Sequence, residues 1–361
     1  MKAGLSIIDR YIIKKFLGTY IFSIALIIAI AVMIDVNTRI DYFIRANATL
    51  KSIVFDYYFN FILYYMNTFS PLFVFISVIF FTSKLADNSE IIAIQSSGMS
   101  LNRLMRPYLI SAAVIALLSF SLSSFVLPHG NKIRIDFENN TFRSKKVVYD
   151  RNIQFEVEPG LIAHFDYFDR LSRTGRGISL ERFKDKELIS RLTANNIIYD
   201  SAYHWTVNNY MIRDFVGTRQ YITTGDKLDT TLTIVPSDFL ISINDAEQLN
   251  TTDLYTYIQR QKDRGIGNMQ RFEIEYHKRF AMLFTAFILT IIGVSLSARK
   301  IKGGMGLNLG LGLLLSFSYI LFMQISSTFA VSGYVSAFVA VWIPNILYLG
   351  IAAVLYKYAP R

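Results

Sequence analysis

Long apolar runs alternate along this chain with one long polar stretch. Six mostly apolar runs are each long enough for a membrane-crossing helix, which needs ~20 residues. The runs lie at residues 16–34, 59–83, 108–127, 280–298, 305–331 and 334–356. The pattern predicts a polytopic α-helical membrane protein with six transmembrane helices and a domain inserted between the third and the fourth.

The first run could instead be the apolar part of a signal peptide. Basic residues precede it, and residues 29–31 (Ala-Ile-Ala) resemble a cleavage site. The run continues through Ile34, however, and is longer than a usual signal-peptide core. We therefore predict an uncleaved membrane span.

The inserted stretch has the pattern of β-structure. Apolar and polar residues alternate at 153–157, and Pro159 and Gly160 then predict a turn. Short strands at regular spacing are typical of a sandwich, a jellyroll or an open solenoid. The other predicted strands are 161–165, 177–183, 188–193, 196–200, 205–215 and 221–235.

Helical spacing returns near the end of the inserted stretch, which spans residues 129–279. Leu254, Tyr257 and Ile258 follow a helix start at Thr251. The chain is therefore predicted to have four parts. These are transmembrane helices 1–3 at 1–128, a β-jellyroll-like domain at 129–250, a helical return segment at 251–279, and transmembrane helices 4–6 at 280–361.

Lysine and arginine predict the orientation in the membrane, because cytoplasmic loops carry an excess of them. The opposite short loops hold only Arg39, Arg45 and Lys51. Both termini are therefore expected in the cytoplasm, and the insert in the periplasm. The twelve basic residues on the predicted cytoplasmic side are Lys2, Arg10, Lys14, Lys15, Lys84, Arg103, Arg106, Arg299, Lys300, Lys302, Lys357 and Arg361.

Composition narrows the function classes. Only 18% of residues are charged, against about 25% in a soluble protein. The net charge of +10 belongs mostly to the predicted cytoplasmic ends, and the insert is balanced, with 22 Lys and Arg against 21 Asp and Glu. A nucleic-acid-binding surface needs a basic stripe, which the insert lacks. Without cysteine there is no disulfide, thiolate metal site or cysteine nucleophile.

No enzyme site emerges from the sequence. The four histidines are far apart and have no metal-binding spacing. There is no GxSxG motif and no GxxxxGK[ST] phosphate loop, so no cofactor is expected and any ATP would be bound by a partner subunit. The glycine-rich residues 303–312 instead contain Gly306 and Gly310 in GxxxG spacing, which favours close helix packing. That packing is either inside this chain or at a contact or lateral gate with a second subunit.

The loop at 84–103 is predicted to hold a short helix at about 87–98. Glu90 lies in its first turn, Ile91 and Ile94 supply an apolar face, and Gly98 can end it. The segment is too short to span a membrane. It is either an interfacial helix or a coupling helix that docks into a cytoplasmic partner.

Taken together, these features resemble the lipopolysaccharide export permeases of the LptF/LptG (YjgP/YjgQ) type. The matching features are residues 5–11 with Asp9-Arg10-Tyr11, the loop from Ser89 and Glu90 to Gly98, and Pro128 and Gly130 after the third span. The plan of three spans, a β-domain and three spans also agrees. The resemblance covers essentially the whole chain, and the Asp-Arg-Tyr is slightly more LptG-like.

The resemblance implies a permease subunit of an ABC-type exporter. Its implied partners are a cytoplasmic ABC ATPase dimer, a second permease subunit of the same family, a periplasmic jellyroll bridge protein and lipopolysaccharide. It assigns Glu90, Ile91, Ile94 and Gly98 to ATPase coupling, and it gives the Gly306 surface a subunit-facing role. The implied location is the bacterial inner membrane.

One departure from the family concerns lipid phosphates. Well-known members carry lysines near the outer end of the first span, whereas this chain has Asp35 and Asp41 there. The remaining candidates for phosphate contact are Arg39, Arg45, Lys132 and Arg134, because Arg and Lys suit phosphate by charge and geometry. Alternatively these residues only set topology or anchor headgroups.

Three functions therefore compete. The first is a lipid-exporting permease driven by a separate ATPase. The second is a non-transporting mechanotransmitter that uses partner ATP hydrolysis to move the β-domain. The third is a membrane-anchored scaffold or receptor without an ATPase partner.

Overall fold

The structure is a computed structural model that describes residues 5–142, 150–169, 172–239, 243–265, 269–298 and 304–359. Five of the predicted orientation charges, Lys2, Arg299, Lys300, Lys302 and Arg361, lie outside the described residues. The described part is mostly helical, with one antiparallel sheet.

Twelve α-helices are present in the described ranges. They are α1 (Ile7–Arg45), α2 (Leu50–Ser52), α3 (Phe59–Thr68), α4 (Ser70–Asp87), α5 (Glu90–Ser96), α6 (Leu101–Ser121), α7 (Leu127–Thr141), α8 (Ile243–Ala246), α9 (Thr251–Asp263), α10 (Gln270–Ser297), α11 (Gly304–Val331) and α12 (Ala337–Tyr358). Two π-helical segments, Ile53–Tyr58 and Leu122–Val126, and a 3₁₀ turn, Pro236–Phe239, complete the helical structure.

Six helical stretches in the part of the chain that the structure describes are long and apolar enough to cross a membrane. Their order and the inserted sheet confirm the predicted fold class of a polytopic helical protein with a β-domain. The six stretches are Ile7–Arg45, Ser70–Asp87, Leu101–Thr141, Gln270–Ser297, Met305–Val331 and Ala337–Tyr358.

The second apolar run is not one helix, contrary to the prediction of a continuous span at 59–83. It divides at Phe69 into α3 and α4. Pro71 lies in the first turn of α4, where its missing N–H removes no helical hydrogen bond. The proline is therefore accommodated by a helix start rather than inside a longer helix.

The third run continues past Pro128, although a helix end was predicted there. The π-helical segment Leu122–Val126 ends two residues before the proline, and the N–H of Leu127 donates to the carbonyl of Leu122. This local change of hydrogen-bond register accommodates the proline within the first turn of α7. Residues 129–141, which were assigned to the β-domain from sequence, therefore lie in α7.

The chain forms two compact units. The described parts of 1–143, 247–251 and 273–361 make the helical unit, and those of 144–246 and 252–272 make the β-unit. In the helical unit, Asn345 of α12 accepts hydrogen bonds through Oδ1 from Thr285 of α10 and Tyr319 of α11, each at 3.0 Å. This buried polar network joins three spans with each partner satisfied.

The β-unit contains a six-stranded antiparallel sheet in which each strand pairs with its neighbours in sequence. The predicted segments 188–193 and 196–200 form a single strand. The jellyroll arrangement in particular stays a prediction. The strands are β1 (Asp150–Glu158), β2 (Leu161–Asp169), β3 (Thr174–Lys184), β4 (Glu187–Tyr199), β5 (His204–Val216) and β6 (Arg219–Thr231).

Aromatic side chains fill the core of the β-unit. Phe239 stacks on Phe168 with ring centroids 3.9 Å apart, and Trp205 donates from its indole N–H to the carbonyl of Ile234. Nearby, the buried Asp238 carboxylate forms ion pairs with Arg260 of α9 and with Arg264. The helix α9, which begins at Thr251 as its spacing predicted, is thereby fixed within the unit.

Candidate coupling site

The short helix predicted in the 84–103 loop is α5. Ser89, with φ of +62°, separates it from α4, and Gly98, with φ of +90°, follows its end. Glycine adopts this left-handed conformation without strain, which is why it commonly ends helices. The segment therefore folds as the sequence indicated, although it is shorter than the predicted range of 87–98.

The isoleucines of α5 point in different directions. Ile91 is 1% exposed and belongs to the same hydrophobic cluster as Ile12 and Leu104, and Ile94 packs against that cluster. Ile92 is 55% exposed. Ile91 and Ile94 thus hold α5 to the helical unit, while Ile92 is available to a partner. Their assignment to ATPase coupling stays a prediction.

Glu90 lies half-buried at the start of α5 and accepts two hydrogen bonds. The Tyr11 hydroxyl of α1 donates to Oε2 at 3.3 Å, and the Asn88 side chain donates to Oε1 at 3.2 Å. The carboxylate is thereby oriented by a residue of the first span, 79 positions away in sequence.

Two positions before Tyr11, Asp9 makes a second link from α1 to this loop. Arg103, in the first turn of α6, donates from Nη1 to Asp9 Oδ1 at 2.7 Å and from Nη2 to Oδ2 at 2.6 Å. Asp9 is only 2% exposed and also forms a capping box with Ser6. A two-pronged Arg–carboxylate pair has both strength and a defined geometry.

In the sequence alone, Asp9 and Tyr11 belong to the family-like Asp9-Arg10-Tyr11, and Arg103 is one of the charges that predict orientation. Nothing in the sequence pattern brings the three residues together. A signal was present, because a lone acid at a predicted membrane end needs a basic partner when it is buried. The choice among the nearby bases required the fold.

The other end of α1 is also fixed to the helical unit. The Tyr57 and Tyr58 hydroxyls donate to Asp35 Oδ2 at 2.9 and 3.2 Å, and Arg39 pairs with Asp35 Oδ1 at 2.9 Å. The Arg39 guanidinium also lies over the ring of Phe142 at 4.5 Å. Asp35, one of the two acids that depart from the family pattern, thus neutralises the neighbouring Arg39.

The four phosphate candidates therefore differ in availability. Arg39 is paired as described, and the buried Arg134 donates to Glu138 at 3.1 Å and lies over the ring of Tyr64 at 4.5 Å. Arg45 and Lys132 are exposed, and the described residues offer neither an ion-pair partner. The structure does not bring the four together into one site through any contact. Their phosphate role stays a prediction.

A buried charge cluster forms where residues 247–251 pack inside the helical unit. Tyr64 donates to Glu247 Oε1 at 3.2 Å, and Arg279 donates to Thr251 at 3.0 Å and to Glu275 at 3.1 Å. Glu247 lies between α8 and α9, outside the six candidate spans. Burial, followed by the charge of Glu275, raises the pKa of Glu247, although Lys278, Tyr64 and Arg134 act in the opposite direction.

The raised pKa of Glu247 makes the stability of the chain depend on pH. An acid with a raised pKa in the folded state contributes stability that is full below its ordinary value of 4.5 and is lost as the pH rises through the raised value. We expect the Glu247→Gln variant to remain neutral and to lose less stability than the wild type between pH 4.5 and pH 8. Melting temperatures in detergent, with the exposed Asp136→Asn as the control, measure this difference. Parallel pH curves for wild type and Glu247→Gln would contradict the expectation.

The glycines of α11 separate into two groups. A Cβ atom added at Gly306 or Gly310 would meet nothing within 4 Å, whereas one at Gly312 would lie 2.3 Å from Ile79 of α4. Gly293 of α10 similarly faces Val78. Close packing inside this chain therefore uses Gly312 and Gly293, and the GxxxG pair predicted from sequence lies on an open face.

No group of three or more His, Asp or Glu side chains that could hold a metal ion was found among the described residues.

Comparison with known proteins identifies the family. No curated protein matches the chain. The family model "Lipopolysaccharide export system permease LptF/LptG" matches residues 10–358, which include all six candidate spans almost completely and the whole β-unit. The chain therefore belongs to the LptF/LptG family of lipopolysaccharide export permeases, which are membrane transport subunits rather than enzymes in their own right.

Proposed function

We propose that this chain is one permease subunit of an ABC-type exporter. It extracts lipopolysaccharide from the inner membrane and passes it to a periplasmic bridge, driven by a separate cytoplasmic ATPase. The observation that carries the proposal is the family match over residues 10–358 on a chain with six spans and an inserted β-unit. Within the family, the Asp9-Arg10-Tyr11 sequence slightly favours an LptG-like role.

The α5 helix is the proposed docking element for the ATPase. Its buried Ile91 fixes the helix to the helical unit, and its exposed Ile92 and half-buried Glu90 remain accessible. Helix-in-groove recognition uses a short amphipathic element of this kind. The exposed basic residues Arg10, Lys14 and Arg106 lie in the same helices as the Asp9–Arg103 link, which supports a cytoplasmic location for this end.

The surfaces of α1 and α11 are the proposed contacts with the second permease subunit. Only 11% of the residues in the most apolar stretch of α1 are buried and 22% in that of α11, against 78% in α4. The open Gly306 and Gly310 lie on α11. Two loosely covered spans and a small-residue surface suit a subunit interface that can open laterally to lipid.

In the β-unit, the free edge of the sheet is the proposed contact with the bridge protein. The described strand β6 pairs only with β5, and most of its side chains are exposed. The β1 edge is partly covered, because the Glu156 N–H donates to the carbonyl of Arg264 at 3.0 Å and Thr233 donates to that of Val157 at 2.8 Å. An unpaired edge can accept a strand from another sheet.

The β-unit also has a cavity of suitable character for lipid. Its volume is about 720 Å³, and its lining includes the apolar Phe155, Ile162 and Phe183, with Lys186 and Arg264 balanced by Glu156 and Asp185. Apolar walls suit acyl chains. Arg264 is already paired with Asp238, so Lys186 is the cation of the lining that suits phosphate. We assign lipid transfer to this cavity as part of the proposed function, with Arg45 and Lys132 as the accessible phosphate contacts in the helical unit.

The test is purification of the chain with its native partners, followed by photo-crosslinking to lipopolysaccharide. A photoreactive residue replaces Met33, an exposed position on α1, or Phe183 in the β-unit cavity. We expect an ATPase to co-purify, Met33 adducts to form without ATP, and Phe183 adducts to form only when ATP is hydrolysed. A non-hydrolysable ATP analogue is the control.

Each contrary result favours a different alternative. If no ATPase co-purifies and Met33 captures no lipid, the chain is a scaffold or receptor. If an ATPase co-purifies but ATP never produces Phe183 adducts, the chain transmits movement without carrying lipid.

A further inference from the structure

The start of α1 contacts both sides of the 84–103 loop. Asp9 binds Arg103 at the start of α6, and Tyr11 binds Glu90 at the start of α5. The next residue after Tyr11, Ile12, lies in the same hydrophobic cluster as Ile91 of α5. The first span is thereby joined to the proposed docking helix and to the helix that follows it.

The two polar contacts differ in kind. Asp9 is buried, doubly hydrogen-bonded to Arg103 and part of a helix cap, so it is suited to hold α1 in place. The Tyr11–Glu90 bond is single, 3.3 Å long and exposed. A single exposed hydrogen bond contributes little to folding stability. The importance of this bond would therefore come from the two helices that it joins, α1 and α5.

The ring of Tyr11 is positioned independently of its hydroxyl. It packs edge-to-face against Phe81 of α4 with ring centroids 6.3 Å apart. Removal of the hydroxyl alone should leave that packing intact. The link to Glu90 can therefore be broken without displacing the side chain.

We propose that Tyr11 is a positioning residue for Glu90, whose hydroxyl joins the docking helix α5 to the first span so that displacement of α5 by the ATPase moves α1. This inference rests on the proposed function, because it requires an ATPase bound at α5. It adds a specific connection between the docking helix and the span proposed to border the lipid entrance.

The chemistry of Glu90 allows this link to persist while a partner is bound. A carboxylate offers about four acceptor sites, and Tyr11 and Asn88 use one on each oxygen. A cationic donor of the ATPase can bind Glu90 at the remaining sites. Tyr11 therefore need not leave when the ATPase docks.

The experiment uses the complete exporter in proteoliposomes containing lipopolysaccharide, with Tyr11→Phe as the variant. The matched control is Tyr20→Phe, which removes another hydroxyl from α1, one that bonds Ser70 at 2.7 Å. We expect Tyr11→Phe to bind the ATPase and hydrolyse ATP within twofold of wild type but to release at least threefold less lipid per ATP. Tyr20→Phe should retain the wild-type ratio.

Lack of cysteine in the native chain permits a second, structural measurement. Spin labels are placed on cysteines at Gly18, whose surroundings are open, and at the exposed Ser96 of α5. We expect Tyr11→Phe to broaden the distance distribution between the labels in the ATPase-bound complex. A hydroxyl with only a local structural role would leave the distribution unchanged.

The inference is overturned if lipid released per ATP is unchanged in Tyr11→Phe, if Tyr20→Phe lowers it equally, or if ATPase binding falls in the same proportion. Failure of the proposed function looks different, because then no ATPase binds the wild-type chain. An exporter that transports normally with Tyr11→Phe would retain the proposed function and lose only this inference.

Discussion

Glu90→Arg is expected to abolish stable association between this permease and the ATPase that we propose as its partner. The proposed function has the Glu90 carboxylate face a cationic group of the ATPase, so the substitution would place two positive charges together. Disruption of a hydrogen-bonded charge pair at an interface costs about 2–5 kcal/mol, which is roughly a 30-fold to several-thousand-fold loss of affinity. Lipid export in the same complex should fall to background.

Co-purification of the ATPase with tagged permease, and the ATPase activity of the eluate, measure this effect. Glu90→Gln is the matched control, because it removes the charge and keeps one oxygen acceptor for Tyr11, while its NH2 group replaces the acceptor that Asn88 uses. It should bind with intermediate strength. The melting temperature of the isolated permease should change little, since Glu90 is half-buried and Ile91 still anchors α5. Normal recovery of the ATPase with Glu90→Arg would exclude α5 as the docking element.

Gly293→Leu is expected to prevent the helical unit from packing correctly. A Cβ atom there would lie 2.7 Å from Cγ1 and 3.1 Å from Cβ of Val78, a fully buried residue of α4, and leucine adds three further carbons. Overpacking of a filled core typically costs about 1–3 kcal/mol and occasionally more. We expect less monodisperse protein in detergent and a lower melting temperature.

Gly310→Leu is the matched control, because it makes the same substitution in a neighbouring span where nothing lies within 4 Å. Both changes gain helix propensity equally, so their difference isolates packing. Gly310→Leu should leave the single chain stable and weaken pairing with the second permease subunit. Equal stability of the two variants would show that α4 and α10 can separate at Gly293.

The helices were largely predictable from sequence because a membrane span needs a long apolar run. The strands were predictable because their side chains alternate, as in residues 153–157, which lie in β1. The exceptions occur at prolines. Pro128 was expected to end a helix, but a preceding π-helical turn accommodates it, and local sequence contains no direct signal for that turn.

The candidate site was less predictable, because it depends on contacts between distant residues. GxxxG spacing pointed to Gly306 and Gly310, whereas the internal packing glycines are defined by the side chains opposite them. Among the basic candidates, charge alone could not separate the buried, paired Arg134 from the exposed Lys132. Asp9 and Arg103 are 94 positions apart, and only the fold shows their pairing.

The contacts at both ends of α1 limit how the proposed lipid entrance beside this helix can open. Asp9 holds its first turn to α6, and Asp35 holds its other end to Tyr57 and Tyr58. A helix held in this way cannot swing outward as a rigid rod about either end. A gap can form only if the helix bows in its sparsely covered middle, where Gly18 has open surroundings, or if one whole subunit rotates against the other. The second movement preserves every contact described for α1.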